Sequence, residues 1–211
     1  LENIIQILIK GGWIMLPLII CSIVALTIIV ERLYFFKKIA ASDRAEHILR
    51  LVEKGQVEEA ARLSKATAAP LLRVLSAGTE HTGNPAKAME AAAIAEITVM
   101  KRGLPALDTI ITLSPLLGLL GTIIGMISSF QVMTAGLTGQ PHAITGGVAE
   151  ALIATATGIT VAVGSLIPYN YFSARVEKET EVIEYYATRL EMMLGAQPYR
   201  SDNHEDIKKY A

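Results

Sequence analysis

Three long apolar stretches divide the chain, and the segments between them carry apolar residues every three or four positions among frequent charges. The first stretch covers residues 12–36 and contains WIMLPLIICSIVALTIIVERLYFF. Trp13 and Tyr34 stand near its two ends, where aromatic rings suit membrane interfaces. Pro17 falls in the opening turns, where a missing N–H matters least. The stretch is too long for a signal-peptide core and no small-residue cleavage site follows it, so it reads as a retained span. The second stretch occupies 107–134 and the third 144–172, ITGGVAEALIATATGITVAVGSLIPYNYF. Each exceeds the roughly 20 residues that take a helix across a bilayer.

The intervening segments are helical by the same periodicity. Residues 1–11 place apolar side chains at positions 1, 4, 5, 8 and 9, the pattern of an amphipathic helix lying on a membrane surface. Residues 37–106 form a cytoplasmic helical region with four expected helices. Asp43 is a candidate N-cap with Glu46 three residues on, and Gly55 ends that helix. QVEEAARLSKAT makes the second and Pro70 opens the third. Asn84-Pro85 starts the fourth, whose alanine run Ala91 to Ala95 favours continuation through AKAMEAAAIAEITVMKRG into the second span. A short connection covers 135–143 and joins the second and third spans on the outer side of the membrane, which the resemblance given below makes periplasmic. After the third span a charged helix over 173–195 keeps an apolar stripe at Val176, Val182, Ile183, Tyr186, Leu190 and Leu194, and 196–211 is a polar, mobile tail. No β-alternation occurs, so the fold class is an all-α membrane protein with three transmembrane helices and long cytoplasmic helical extensions.

Composition agrees with that division. The 211 residues have a mean hydropathy of +0.42, 52% hydrophobic residues and a net charge of −1, which excludes a disordered chain and gives no basic surface for nucleic acid. The single cysteine, Cys21, excludes an internal disulfide and reads as a small apolar residue. Of the 19 Lys and Arg, 12 lie from Arg32 to Arg102 and 6 from Arg175 onward, leaving Lys10 alone. The positive-inside rule then sets the N-terminus outside and the C-terminus in the cytoplasm.

Charge also isolates one candidate for chemistry. Between Asp108 and Arg175 the only Asp, Glu, Lys or Arg is Glu150. An ionised carboxylate inside a spanning helix costs about 2.5–3.5 kcal/mol on insertion scales, so such groups usually face a protein interior or a wet cavity. The bland alternative is an acid at a helix start that snorkels to the headgroups. Thr157 lies on nearly the same helical face, with Ala154 between them and Gly164 two turns further. In the second span Gly118, Thr122, Gly125 and Ser129 form one stripe that Gly121 widens, and such a stripe requires a helix or water against it. Catalytic chemistry is not expected. The histidines His47, His81, His142 and His204 have no metal-ligand spacing, Ser128 and Ser165 have no adjacent base, and no phosphate-cradling glycine pattern occurs, so neither metal nor cofactor is called for. Two function classes remain: an ion-conducting subunit that draws on the membrane potential, and a membrane scaffold or adaptor whose small residues merely pack helices together.

SPLLGLLGTIIGMISSF, followed by GGVAEALIATATGITVAV and YNYF, resembles the MotA/TolQ/ExbB proton-channel family, most closely its ExbB and TolQ branches. The resemblance implies a bacterial inner-membrane subunit of a ring-shaped homo-oligomer, a pentamer, whose second and third spans line a pore around a single-span ExbD-like or TolR-like partner dimer. It further implies that proton-motive force drives this partner, through a TonB-like or TolA-like periplasm-spanning protein, to energise outer-membrane transport or envelope processes. Carried over by position, the family's pore glutamate falls on Glu150 and its pore threonines on Thr122 and Thr155. Thr157 comes instead from the face analysis. Where similar proteins place a proline, this chain has Gly164, and Pro168 displaces the expected kink by one turn.

Overall fold

The computed structural model describes residues 12–37, 42–65, 69–81, 83–134 and 141–196. The expected surface helix over 1–11 lies outside these residues, as do 135–140 of the connection expected over 135–143 and 197–211 of the tail expected over 196–211; the last three residues of that connection belong to a helix that begins at Pro141. The described residues hold seven helices and no strand: α1 (Met15–Lys37), α2 (Ser42–Glu53), α3 (Val57–Lys65), α4 (Pro70–Glu80), α5 (Pro85–Met100), α6 (Leu104–Thr134) and α7 (Pro141–Ala196). Three helical stretches, Met15–Lys37, Pro85–Gln131 and Thr145–Leu194, contain windows long and apolar enough to cross a membrane.

Two boundaries depart from the sequence expectation. The fourth loop helix does not run on into the second span: α5 stops at Met100, and Lys101, Arg102 and Gly103 make a turn before α6. Gly103 takes φ +80°, the left-handed conformation of a helix-terminating glycine, and Pro105 stands in the first turn of α6, where its missing N–H is not needed. At the start of the loop, α2 begins at Ser42, so Asp43 is inside the helix and is not its N-cap. Gly55, at φ +77°, ends α2 as expected.

The chain separates into two compact units, Leu1–Lys37 with Lys101–Arg175, and Lys38–Met100 with Val176–Ala211. In the first, α1 packs on α6 and on α7 up to Arg175. Ile14, Met15 and Leu18 bury themselves with Leu117, and further along Ala25 joins Leu107 and Ile110, flanked by Cys21, Ile29, Val161 and Tyr169. Phe36 and Phe172 stack with ring centroids 5.7 Å apart. The outward faces stay apolar, including Leu16, Ile20 and Ile23 of α1, Leu116 and Ile123 of α6, and Leu152 and Ile167 of α7. In water such exposure would be untenable, whereas in lipid it is required.

The second unit has an ordinary buried core. Ile48, Leu49 and Val52 of α2, Leu72, Val74 and Leu75 of α4, and Ile183 and Leu190 of α7 are all nearly inaccessible. Gly78 lets helices close in: a β-carbon there would come within 2.6 Å of the Met89 sulfur and 3.3 Å of Leu190 Cδ2. Two ion pairs at 3.0 Å, Arg73–Glu96 and Arg189–Glu46, tie α4 to α5 and α2 to α7.

Candidate functional site in the apolar unit

The site is built on an antiparallel seam between α6 and α7. A helix in which every third or fourth residue lacks bulk presents a flat strip of backbone, and two such strips approach more closely than side chains would permit. A β-carbon placed on Gly118 would meet the backbone of Thr155 and Ala154, one on Gly121 would lie 2.5 Å from the Ala154 methyl, and one on Gly125 would lie 2.8 Å from the Gly147 carbonyl oxygen. Gly147 in turn faces the Ser129 hydroxyl, and Gly158 faces the Ser114 carbonyl. The stripe Gly118, Gly121, Gly125 and Ser129 is thus answered, within one chain, by a complementary stripe on α7. Ala154, at 1% exposure, belongs to this seam. Gly164 does not, since nothing lies within 4 Å of a β-carbon placed on it.

Each threonine has a distinct fate. The Thr155 hydroxyl donates across the seam to the Gly118 carbonyl at 2.9 Å. Thr122 donates within α6 to the Leu119 carbonyl at 2.6 Å, and Thr157 within α7 to the Ile153 carbonyl at 2.8 Å. Ser129 and Ser165 likewise bond back to Gly125 and Val161. Serine and threonine do this in membranes because no water is available to satisfy a hydroxyl. Ser114 differs from these: it is fully buried, and its hydroxyl has no hydrogen-bond partner among the described residues.

Glu150 lies beside the seam, half-buried, near the start of α7. At about 100° per residue, Thr157 and Gly164 fall on its side of the helix, the seam residues Ala151, Ala154 and Gly158 about 40–100° round, and Thr155 about 140° round on the seam's far flank. The carboxylate rests against Gly12 at the head of α1. The structure therefore brings Glu150, Thr157 and Gly164 onto one flank and Thr155 onto the other. α7 continues through Pro168 without interruption. Among the described residues no cluster of three or more His, Cys, Asp or Glu side chains could hold a metal ion.

A model of the MotA/TolQ/ExbB proton channel family matches residues 58–185, which contain the whole seam and its acid. The chain belongs to the MotA/TolQ/ExbB family. It is 34% identical over 209 residues to the biopolymer transport protein ExbB-like 3 of Synechocystis sp., an alignment covering 95% of this chain and 98% of that protein. The ExbB homolog of Methanothermobacter thermautotrophicus is 30% identical over 189 residues, with 86% of this chain and 67% of that protein covered. The Tol-Pal system protein TolQ of Pseudomonas aeruginosa is 35% identical over 118 residues, 56% of this chain and 51% of its own length. The first of these alignments extends over nearly the whole family member.

Sequence reasoning missed two positions of the site, Ser114 and Gly12. Gly158 and Ser114 make the tightest backbone approach, yet the second-span stripe was drawn from Gly118 without Ser114. The signal was available, because Ser114 lies four residues before Gly118 and so extends the same face. Gly12 was read only as the start of a span.

Proposed function

We propose that this chain is a proton-channel or stator subunit of the bacterial inner membrane, with its N-terminus periplasmic and its loop and C-terminus cytoplasmic. It assembles as a homo-oligomer, a pentamer, around a single-span ExbD-like or TolR-like dimer and uses proton-motive force to drive that partner. The work energises outer-membrane transport or envelope processes through a TonB-like or TolA-like protein. The observation that carries this reading is the placement of Glu150, the only Asp, Glu, Lys or Arg between Asp108 and Arg175, beside a seam of close backbone approaches in a member of a proton channel family. A carboxylate that only snorkelled would have no reason to lie against another helix of its own subunit.

Glu150, Thr122, Thr155 and Thr157 are its candidate pathway residues. The potential supplies about 2.3 kcal/mol per charge per 100 mV, enough to bias a two-state element through one acid. Affinity purification from native membranes, with identification of co-purifying proteins, is the direct test. The expected result is a single-span protein with an acidic residue in its span, held inside an oligomer of this chain. Recovery of the chain alone, or with a soluble protein only, would favour the scaffold class. In the recovered complex Glu150→Gln should assemble normally and lose coupling to the membrane potential, and unaltered coupling would remove Glu150 from the mechanism.

A further inference from the structure

Gly12 stands immediately before the first turn of α1, and its backbone takes φ +71°, a left-handed value that any β-carbon disfavours. The turn is tied into the helix, since the Gly12 carbonyl accepts from Met15 N at 3.1 Å and the Trp13 carbonyl from Leu16 N at 3.2 Å. A β-carbon on Gly12 would fall on the Glu150 carboxylate, on Oε1 itself, with Cδ at 2.7 Å and Cγ at 3.2 Å. Backbone conformation and occupied space are independent constraints, and both favour glycine.

We infer that Gly12 is a positioning residue for Glu150: the side chain it lacks leaves the space that the acid fills, so the head of the first span holds the carboxylate in place. The same end of α1 carries the positive pole of its helix dipole, which favours a negative charge beside it. Ile14, two residues on, packs against Gly121, so the turn that seats the acid is itself anchored on α6. The occupant is the end of a flexible side chain. A substituent at position 12 therefore displaces the acid and does not force main chains apart, in contrast to Gly118, Gly125, Gly147 and Gly158 of the seam, whose neighbours include backbone. The inference deepens the reading of Glu150 as the working acid and rests on that reading for its functional consequence.

Gly12→Ala and Gly12→Asn separate space from backbone strain. Both add a β-carbon, but asparagine tolerates the left-handed conformation far better than alanine. The probe is dicyclohexylcarbodiimide labelling of Glu150 in membranes of the full chain, followed by mass spectrometry with Glu150→Gln as the blank. A seat at Gly12 predicts that both variants change the labelling rate at Glu150 several-fold, asparagine at least as much as alanine. An unchanged rate in both, or a change in Gly12→Ala alone, overturns it. If Gly12→Asn, the variant that tolerates the backbone, fails to accumulate in the membrane, it is rebuilt on Glu150→Ala, which vacates the contested space. Recovery there supports the seat and continued failure overturns it. Labelling requires neither proton flow nor a partner, so a negative result leaves the channel reading standing. Retained coupling in Glu150→Gln would sink the channel reading while leaving the seat intact.

Discussion

Gly158 and Gly164 lie in the same helix and differ in what an added methyl would meet, which makes them a matched test of the seam. Glycine to alanine inside a helix gains about 0.8–1 kcal/mol in propensity, largely independent of position. At Gly164 nothing lies within 4 Å of the new β-carbon, so that gain stands unopposed. At Gly158 the β-carbon would fall on the Ser114 carbonyl oxygen and lie 3.1 Å from Gly118 Cα and 3.3 Å from Gly118 N. All three are main-chain atoms, and no rotamer change relieves them. α6 and α7 must separate, which stretches the 2.9 Å bond from Thr155 to Gly118.

Overpacking costs about 1–3 kcal/mol and an interhelical hydrogen bond in a membrane is worth about 0.6 kcal/mol. Less the propensity gain, Gly158→Ala should lose about 0.6–2.8 kcal/mol, while Gly164→Ala should gain up to about 1 kcal/mol. The assay is reversible unfolding of the protein in one fixed micelle composition, followed by far-ultraviolet circular dichroism and by the fluorescence of Trp13, the single tryptophan. A Gly158→Ala protein as stable as wild type would refute the argument, because it would mean that α6 and α7 do not approach through their backbones.

Thr155→Val keeps the shape and removes the cross-seam donor, so it should lose about 0.6 kcal/mol in the same unfolding assay, and a loss no larger than that of Thr160→Val, whose hydroxyl bonds only its own helix, would show that the bond is not made. Arg189→Gln breaks the half-exposed pair with Glu46 and should destabilise the protein less than Gly158→Ala, with the effect shrinking in high salt; a salt-independent loss would contradict the pairing. Burial, and after it the Glu46 carboxylate, raise the Tyr186 hydroxyl above its ordinary 10.0. The folded state then holds this proton more tightly than the unfolded chain, so the associated stability is complete below pH 10.0 and is lost as pH rises through the higher folded value. Tyrosinate absorbance of wild type minus Tyr186→Phe should therefore titrate above pH 10.0, and a midpoint at or below that value would refute the assignment.

The spans were legible because lipid imposes a simple rule on sequence: long apolar runs with charges confined to their ends. The small-residue stripe on the second span was legible for the same reason, since periodicity marks a face. Its partner was not, because a stripe states only that something approaches closely, and the complementary residues Gly147, Ala151, Ala154 and Gly158 sit among other small residues on α7. The break between α5 and α6 was misread through weighing the helix propensity of Ala91 to Ala95 over the punctuation of Gly103 and Pro105. A left-handed glycine followed by proline at a helix start is a local signal, and it outweighs the propensity of residues several turns away. Gly12 was opaque for another reason. Its requirement for glycine comes from a carboxylate far along the chain, and one sequence contains no trace of such a contact.

With Glu150 as the working acid of the proposed function, the geometry of the seam limits how a change of charge there could move this chain. Thr155 and Glu150 flank the seam on opposite sides of α7, about 140° apart. Rotating α7 to carry the acid towards a new neighbour would slide Thr155 off the Gly118 carbonyl and drive the Ala151 and Ala154 methyls across the backbone of α6. Close-packed backbone contacts of this kind do not deform by degrees, because a fraction of an ångström separates contact from collision. Two responses remain open. The carboxylate moves alone, with the Gly12 turn as the element that yields, or α6 and α7 move together as one body against α1. The first confines the response to the head of the first span, and the second requires the apolar contacts of Ala25 with Leu107 and Ile110 to slip. Cross-linking α6 to α7 through a cysteine pair in a Cys21→Ala background leaves both responses intact. Cross-linking α1 to α6 near Ala25 and Ile110 blocks only the second, so retained coupling in that variant would assign the response to Glu150 and Gly12.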